Sequence, residues 1–149
     1  MAGSFLGTGM KFPPQIDPTT GQIATVSDAQ SVKESVYLIL MTTRSERFMR
    51  PDFGSELLSY TFMDLNSTSV SMLVHTLTQT LMKQEPRIGE VEITTEERER
   101  KGVLIINVAY TISRTNVRDN LVFPFYLNAE QEEEGAETDY YEPEDVDDV

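Results

Sequence analysis

Arginines and carboxylates lie close together in one short segment of the chain, which reads "MTTRSERFMRPDFGSEL" from Met41 to Leu57. Its ionisable residues are Arg44, Glu46, Arg47, Arg50, Asp52 and Glu56. A glycosidase uses paired carboxylates, but its general acid needs a pKa that an apolar pocket has raised. A neighbouring guanidinium lowers the pKa of a carboxyl group instead. The spacing therefore favours structural pairing of these groups over catalysis.

Histidine and cysteine, the side chains that transition metals prefer, are scarce. His75 is the only histidine and the chain has no cysteine, so a transition-metal site would have to combine one imidazole with carboxylates. The Gly-Thr-Gly at residues 7–9 lacks the strand-to-helix context of a phosphate-binding loop. The sequence predicts no catalytic residue, no metal and no cofactor, and the absence of cysteine suits folding in a reducing cytoplasm.

The negative charge of the chain is concentrated near its C-terminal end. The formal net charge is −13, from 25 acidic and 12 basic residues. Residues 128–149 hold eleven acids and no Lys or Arg, leaving 14 acids and all 12 bases in residues 1–127. No basic stripe is present, so nucleic acid is not an expected partner. Neither a signal peptide nor an apolar run of about 20 residues occurs, so membrane insertion is not expected.

Residues 128–149 are too charged, and too poor in apolar side chains, to bury a core of their own. We therefore expect a disordered acidic tail. Two roles fit its composition. It is either a solubilising extension, or a segment that contacts a basic surface on a neighbouring subunit with Tyr140 and Tyr141 as anchors.

The arginine-rich segment connects two helical stretches. Residues 1–26 are rich in Gly, Pro and Thr, which predicts an extended N-terminal arm before one domain at residues 27–127. The first helix is expected to begin at Ser27, with Gln30 completing a capping box, and to end near Thr42 or Thr43. The connecting loop after it is expected to lack regular backbone pairing.

Two further helices are predicted before the period of the apolar residues changes. Ser55 is expected to cap a short helix, and Asn66 or Ser67 a longer one. The longer helix must end at Glu85, because the ring of Pro86 cannot continue the hydrogen-bond ladder.

From Val91 onwards the apolar residues alternate, as in a β-strand. In "GVLIINVAYTI" one face carries Leu104, Ile106, Val108, Tyr110 and Ile112. A hairpin turn at "RERKG" precedes this strand, and a second turn at "RTNVRDN" leads to a third strand, "LVFPFYL". The pattern predicts an α+β domain, with two main helices and a short helix packed on a small three-stranded antiparallel sheet.

Three of these segments, "GTGMKFPPQ", "SERFMRPDFGSEL" and "QEPRI", together resemble the baseplate wedge family of contractile injection systems. This family includes baseplate assembly protein W of phages, wedge proteins labelled lysozyme-like, and sheath-initiator subunits of type VI secretion and extracellular injection systems. The resemblance covers residues 7 to 127, and the order and spacing of the motifs make it specific. Ser45 stands where the family usually has glycine, and the acidic tail has no counterpart in the common core of the family.

The resemblance implies a structural subunit, not an enzyme, that links the baseplate to the first sheath ring and initiates sheath assembly. Its partners would be other wedge subunits and sheath protein, with tube or hub proteins as further candidates, in a sixfold ring of copies. It would be cytoplasmic during assembly and then part of the particle's baseplate. Two alternatives stay open: a peptidoglycan-cleaving tail lysozyme, and a regulatory adaptor encoded away from tail genes.

The family motifs place the structural and interaction residues at Glu46, Arg47, Arg50, Pro51, Phe53, Gly54, Glu85, Pro86 and Arg87. We expect carboxylates to hold the arginines, because the planar guanidinium binds a carboxylate through two parallel hydrogen bonds. The resemblance favours this role for Arg47 and Arg87. Arg44 and Arg50 are as readily solvated as paired.

Pro124 stands in the middle of the third strand and lacks an amide donor, so this strand is expected at an edge of the sheet. Amides of alternate residues in a strand point to the same side, so the positions facing outward would be Val122, Pro124 and Tyr126. Because the resemblance implies strand exchange with the sheath, we expect these three residues to form the sheath-contacting edge.

Overall fold

The computed structural model describes residues 5–63, 66–98 and 102–126. The elements in chain order are β1 (Thr8–Met10), β2 (Thr25–Ser27), α1 (Asp28–Met41), a 3-10 helix (Leu57–Phe62), α2 (Ser67–Gln84), β3 (Ile88–Arg98), β4 (Val103–Ile112) and β5 (Val117–Tyr126). Strands β3, β4 and β5 form an antiparallel sheet in that order, and β1 pairs with β2 in a separate ribbon. The predicted α+β class is confirmed.

Helix α1 begins where it was predicted, but without the expected capping box. The Ser27 side chain makes no capping bond, and Ser27 is also the last residue of β2. The next residue, Asp28, has φ +56°, which departs from the helical conformation that the first helical position has in a capping box. The Gln30 side chain donates to the carboxylate of Glu34. The predicted inward stripe is confirmed, and its buried members are Val32, Val36, Ile39 and Leu40.

The short second helix is a 3-10 helix, and Glu56 occupies its N-cap position. Ser55 is buried, and its hydroxyl donates to the Leu40 carbonyl at 2.8 Å and accepts from the Leu57 amide at 3.4 Å. Ser55 therefore ties this turn to α1 as well as bonding its first amide. Leu57 is fully buried in the core, and Leu58 packs against it.

Both predicted ends of α2 are confirmed. Asn66 caps the helix by accepting a bond from the Ser69 amide at 2.8 Å. The helix ends at Gln84, and Glu85 is its C-cap, immediately before Pro86. Leu73, Leu77 and Leu81 are buried between α2 and the sheet.

The central strand β4 carries the predicted inward face, and all five of its alternating residues are buried. Two strand boundaries differ from the predictions. Strand β3 begins at Ile88, three residues before the predicted start at Val91. A bulge between these two residues interrupts the alternation of apolar side chains, so the sequence does not show the true start. Strand β5 begins at Val117, because the turn takes only residues 113–116. As predicted, β5 lies at an edge of the sheet.

The N-terminal arm folds back on itself instead of running extended across the surface. Thr8–Met10 pairs with Thr25–Ser27, and a bridge joins Ile16 to Ile23. Leu6 is buried in the core of the domain. The acidic tail predicted at residues 128–149 lies outside the described residues. Among the residues that are described, no helix has the length and apolar character needed to cross a membrane.

Candidate functional site

Residues 42–56, here called the arginine loop, are held largely by their own backbone. The bonds within the loop run from Ser45 N to Pro51 O (3.0 Å), Glu46 N to Thr43 O (3.1 Å), Arg50 N to Arg47 O (3.2 Å) and Phe53 N to Arg50 O (3.1 Å). The Ser55 amide closes the base by donating to the Thr42 carbonyl at 2.8 Å. The loop has no helix or strand, as predicted, but these turn bonds and the isolated Thr43–Ser55 bridge hold it. The inference that its rigidity requires ion pairs is therefore wrong.

Three residues of the arginine loop have left-handed backbone conformations. Gly54 has φ +105°, and a Cβ atom there would overlap the Thr42 carbonyl oxygen, so this position needs glycine. Ser45 has φ +70°, which gives a physical reason for the glycine that the resembling family carries there. Met49 has φ +63°. For a residue with a Cβ, this conformation costs about 1–2 kcal/mol.

Gln84 anchors the arginine loop to the end of α2, and sequence reasoning missed it. Its side-chain oxygen accepts from the Gly54 amide at 2.9 Å. Its side-chain nitrogen donates to the carbonyls of Gly54 at 3.0 Å and Asp52 at 3.1 Å. The only signal in the sequence was the place of Gln84, directly before the Glu-Pro-Arg motif.

The loop arginines lie at the surface, and carboxylates hold only some of them. Arg44 pairs with Glu56 at 3.5 Å, and Arg50 with Asp52 at 3.9 Å, all four side chains being well exposed. Arg47 is exposed and lies over the ring of Phe53, 4.8 Å from its centroid. The ion pairs among the described residues include none for Arg47, so the predicted carboxylate partner is wrong for this arginine.

The other carboxylate of the loop bonds to backbone. Glu46 accepts a hydrogen bond from the Thr43 amide at 2.9 Å. Together with Leu38, Thr42, Arg47 and Phe53, it lines a shallow cavity of about 360 Å³ beside the loop.

Glu85 and Arg87 form a buried clamp that involves no arginine of the loop. The Arg87 guanidinium bonds both carboxylate oxygens of Glu85, at 2.7 Å and 2.8 Å. Its remaining donors reach the Leu6 carbonyl at 3.0 Å and the hydroxyls of Ser31 at 3.3 Å and Ser35 at 3.1 Å. One guanidinium thus joins the N-terminal arm, α1 and the end of α2. Pro86, between the two charged residues, is exposed in the turn that brings them together.

Burial and pairing act in opposite directions on the ionisation of this clamp. Glu85 is only 3% exposed, and burial alone would raise its pKa. The hydrogen bonds and charge of Arg87 outweigh that effect, so the pKa of Glu85 is lowered. The hydrogen bond to Glu85 raises the pKa of Arg87. A carboxyl group that stays ionised in this way is a poor general acid.

The tip of the arginine loop presents two apolar side chains to solvent. Phe48 is 89% exposed and Met49 is 82% exposed, between Arg47 and Arg50. Both were left out of the sequence-based site, because apolar residues in a loop do not by themselves predict exposure. Pro51 is exposed beside them, and Phe53 is half-buried under Arg47.

The predicted edge residues lie in the C-terminal half of β5. Their partners in β4 are Asn107 for Val122, Ile105 for Pro124 and Val103 for Tyr126. Val122 is 54% exposed, whereas its neighbour Phe123 is buried. The amide of Asn120 donates to the Asp119 carboxylate at 2.8 Å. Asn120 shares its alternation with Val122, so this bond supports the prediction that amides of this set face away from β4.

Comparison with family profiles identifies one family for this chain. The profile described as "Baseplate wedge protein gp25" matches residues 26–117. A solved protein from Geobacter sulfurreducens, provisionally described as a tail lysozyme, is 39% identical and superposes with a TM-score of 0.60, covering 68% of this chain and 93% of that one. A search of curated proteins finds no match.

Two chains of solved baseplates share the fold at lower identity. A chain of the anti-feeding prophage baseplate is 21% identical with a TM-score of 0.55, covering 85% of this chain and 90% of that one. A chain of the type VI secretion baseplate complex is 22% identical with a TM-score of 0.54, covering 64% and 90%. At these identities the likeness concerns the fold.

Proposed function

Because the chain belongs to the baseplate wedge protein gp25 family, we propose that it links the baseplate of a contractile injection particle to the first sheath ring and initiates sheath assembly. It acts by binding, without turnover. The proposal extends to a sixfold ring of copies that contact other wedge subunits, and to assembly in the cytoplasm before the particle is complete. Chains of similar fold occur in the anti-feeding prophage and type VI secretion baseplates, which supports this reading.

The observation that carries the proposal is the edge strand β5. Its inner side is paired with β4 over ten residues, from Val117 opposite Ile112 to Tyr126 opposite Val103. A proline cannot donate to a ladder, so Pro124 fits a position whose backbone faces outward. Val122 and Tyr126 then supply the neighbouring outward amides. An arm of sheath protein could add to this edge as a further strand.

Pro124 also explains why this edge would stay free before its partner arrives. An exposed strand edge is a template for unwanted pairing, and a proline in the edge removes one donor from it. A strand that pairs with β5 only through its backbone is therefore bound more weakly. A partner that makes further side-chain contacts can still bind.

The exposed tip of the arginine loop supports a second contact, with other wedge subunits. The backbone around Phe48 and Met49 is fixed by the loop's own bonds and by Gln84. A rigid loop loses little conformational entropy on binding. The free energy gained by burying these two side chains in an interface is therefore offset less by ordering of the loop. The edge and the tip would then serve the two sides of the link, sheath and baseplate.

The proposed sheath contact is tested by changing both Val122 and Tyr126 to Pro, which removes the two outward amides. We expect particles in which the subunit is incorporated in the baseplate and sheath is absent, as seen by electron microscopy. The matched control changes Val122 to Thr and Tyr126 to Phe, which keeps both amides and should give normal sheaths. Sheaths of normal length on the proline variant would rule out this edge as the initiation site, provided that its melting temperature is unchanged.

A peptidoglycan-cleaving function is the second candidate, because the relative from Geobacter sulfurreducens is provisionally described as a tail lysozyme. The geometry argues against it. Glu85 is locked in the clamp with a lowered pKa, and Glu56 is paired with Arg44. We expect no clearing of a peptidoglycan suspension by the purified protein. Clearing that is lost in Glu46→Gln or Glu56→Gln would establish the enzyme instead.

A further inference from the structure

A cavity of about 310 Å³ lies beside β5, between α1 and the N-terminal arm. Its lining residues are Phe12, Pro13, Gln30, Lys33, Glu34, Tyr37 and Leu121. The cavity is shallow and open to solvent. Water against such aromatic and aliphatic groups finds few hydrogen bonds, so an apolar group that displaces it is favoured.

A row of three aromatic rings continues the core outwards at this cavity. Phe123 of β5 is buried and stacks on Tyr37 of α1, with ring centroids 5.8 Å apart. Tyr37 in turn contacts Phe12 of the arm at 5.9 Å, and Phe12 is 40% exposed. These three rings thus connect the buried side of β5, through α1, to the surface of the arm.

The arm wall of the cavity is held in place by hydrogen bonds. The Phe12 amide donates to the Glu34 carboxylate at 2.9 Å, and the Lys11 amide donates to the Ala24 carbonyl at 3.0 Å. The charged end of Lys33 bonds to Asp119 of β5 at 3.3 Å. The charged end of Lys33 is therefore paired with β5, and the Glu34 carboxylate is paired with Phe12 and Gln30 in the cavity wall itself. Because both charged groups have partners, the stem of Lys33 and the rings of Phe12 and Tyr37 supply the apolar surface for an occupant.

We propose that this cavity receives one large apolar side chain from the sheath strand that adds to β5, and that it thereby selects the partner. The inference rests on the proposed function. Neighbouring strands lie about 4.8 Å apart and alternate side chains share a face. An added strand therefore sends every second side chain to the side on which Leu121 packs, over α1. The anchor is a leucine, methionine or phenylalanine placed opposite Leu121.

The cavity supplies the specificity that the edge alone lacks. Backbone hydrogen bonds along a strand are the same for every sequence, so an open edge accepts any extended segment. Filling an apolar cavity with one large side chain favours the correct partner by about tenfold to a hundredfold. The missing donor at Pro124 makes this contribution more important, because it weakens pairing through the backbone.

The test fills the cavity by changing Gln30 to Trp, and the matched control is Gln79→Trp, which places the same side chain on an exposed position of α2 outside the cavity. Gln30 is exposed and its side chain donates to Glu34, so both variants should melt as wild type does. In particles we expect Gln30→Trp to be incorporated in the baseplate and to lower the fraction with sheaths at least tenfold, and Gln79→Trp to behave as wild type. If Gln30→Trp does not fold, Phe12→Ala replaces it, because loss of the arm wall should lower sheath assembly in the same way.

Three outcomes separate the inferences. Normal sheaths with Gln30→Trp, or with Phe12→Ala where that variant decides, overturn the anchor cavity alone if the double proline variant of β5 still blocks sheath assembly. Normal sheaths on the double proline variant overturn the edge as the initiation site, and the cavity proposal with it. A change only in the self-association of the free subunit would assign the cavity to a second copy of the chain and would also overturn the proposal.

Discussion

Arg87 and the arginines of the arginine loop lie within motifs of one family, but the structure holds them in opposite ways. Arg87 donates five side-chain hydrogen bonds, to Glu85 and to atoms of the arm and α1, and its side chain is 26% exposed. The arginines of the loop are exposed, and the loop's shape depends on backbone bonds and Gln84. The difference teaches that burial, not residue type, separates an arginine that builds the fold from one available to a partner.

The largest effect is expected for Arg87→Ala. The change leaves the Glu85 carboxylate buried without its partner, which costs about 3–5 kcal/mol of the free energy of unfolding. Arg98→Ala, which removes an exposed arginine of β3, is the matched control and should cost less than about 1 kcal/mol. Denaturant unfolding of the purified chain measures both values, and similar losses for the two variants would contradict the clamp.

Acid should weaken the same clamp. The pKa of Glu85 is lowered by folding, so its ionised form adds stability that is complete above its ordinary pKa of 4.5. That contribution is lost as the pH falls through the lowered value. The difference in unfolding free energy between wild type and Glu85→Gln should therefore narrow as the pH falls from neutral to below 4.5. A difference that does not change over this range would show that Glu85 is not the group that titrates.

An intermediate effect is expected for Gln84→Ala, because three side-chain bonds to the arginine loop are lost. At a net value of about 0.5–1.5 kcal/mol each, the loss of three bonds is about 1.5–4.5 kcal/mol. Gln79→Ala, on the exposed side of the same helix, is the control. Amide hydrogen exchange should also become faster at Gly54, whose amide is the donor to Gln84. If the Gly54 amide exchanges as slowly in Gln84→Ala as in wild type, the loop's own backbone bonds are sufficient to hold it.

The smallest effect is expected for Arg47→Ala. Only an exposed contact with the Phe53 ring is removed, which costs about 0.5–1 kcal/mol. The melting temperature should fall by no more than about 2–8 °C, at about 4–8 °C per kcal/mol for a domain of about 100 residues. A loss as large as that of Arg87→Ala would end the contrast between the two groups of arginines.

Features that depend on neighbours in the sequence could be predicted from it. Pro86 set the end of α2 and Pro124 the edge position of β5, because a proline acts through its own backbone. Asn66 set the start of α2, because its side chain bonds an amide only three residues away. Alternation identified the buried face of β4. The predictions failed where local signals were ambiguous: Ser27 ends a strand instead of capping α1 with its side chain, and the bulge after Ile88 hid the start of β3.

By itself the sequence determined the class of fold, the family and the presence of an arginine-rich loop before a Glu-Pro-Arg turn. Only the tertiary structure decided which arginine is partly buried and which groups it binds. Arg87 reaches Leu6, Ser31 and Ser35 across 81, 56 and 52 positions of the chain, and Gln84 reaches Gly54 across 30. The physical reason is that a side-chain bond needs two groups within about 3 Å, and packing of the core, not spacing in the sequence, brings distant groups that close.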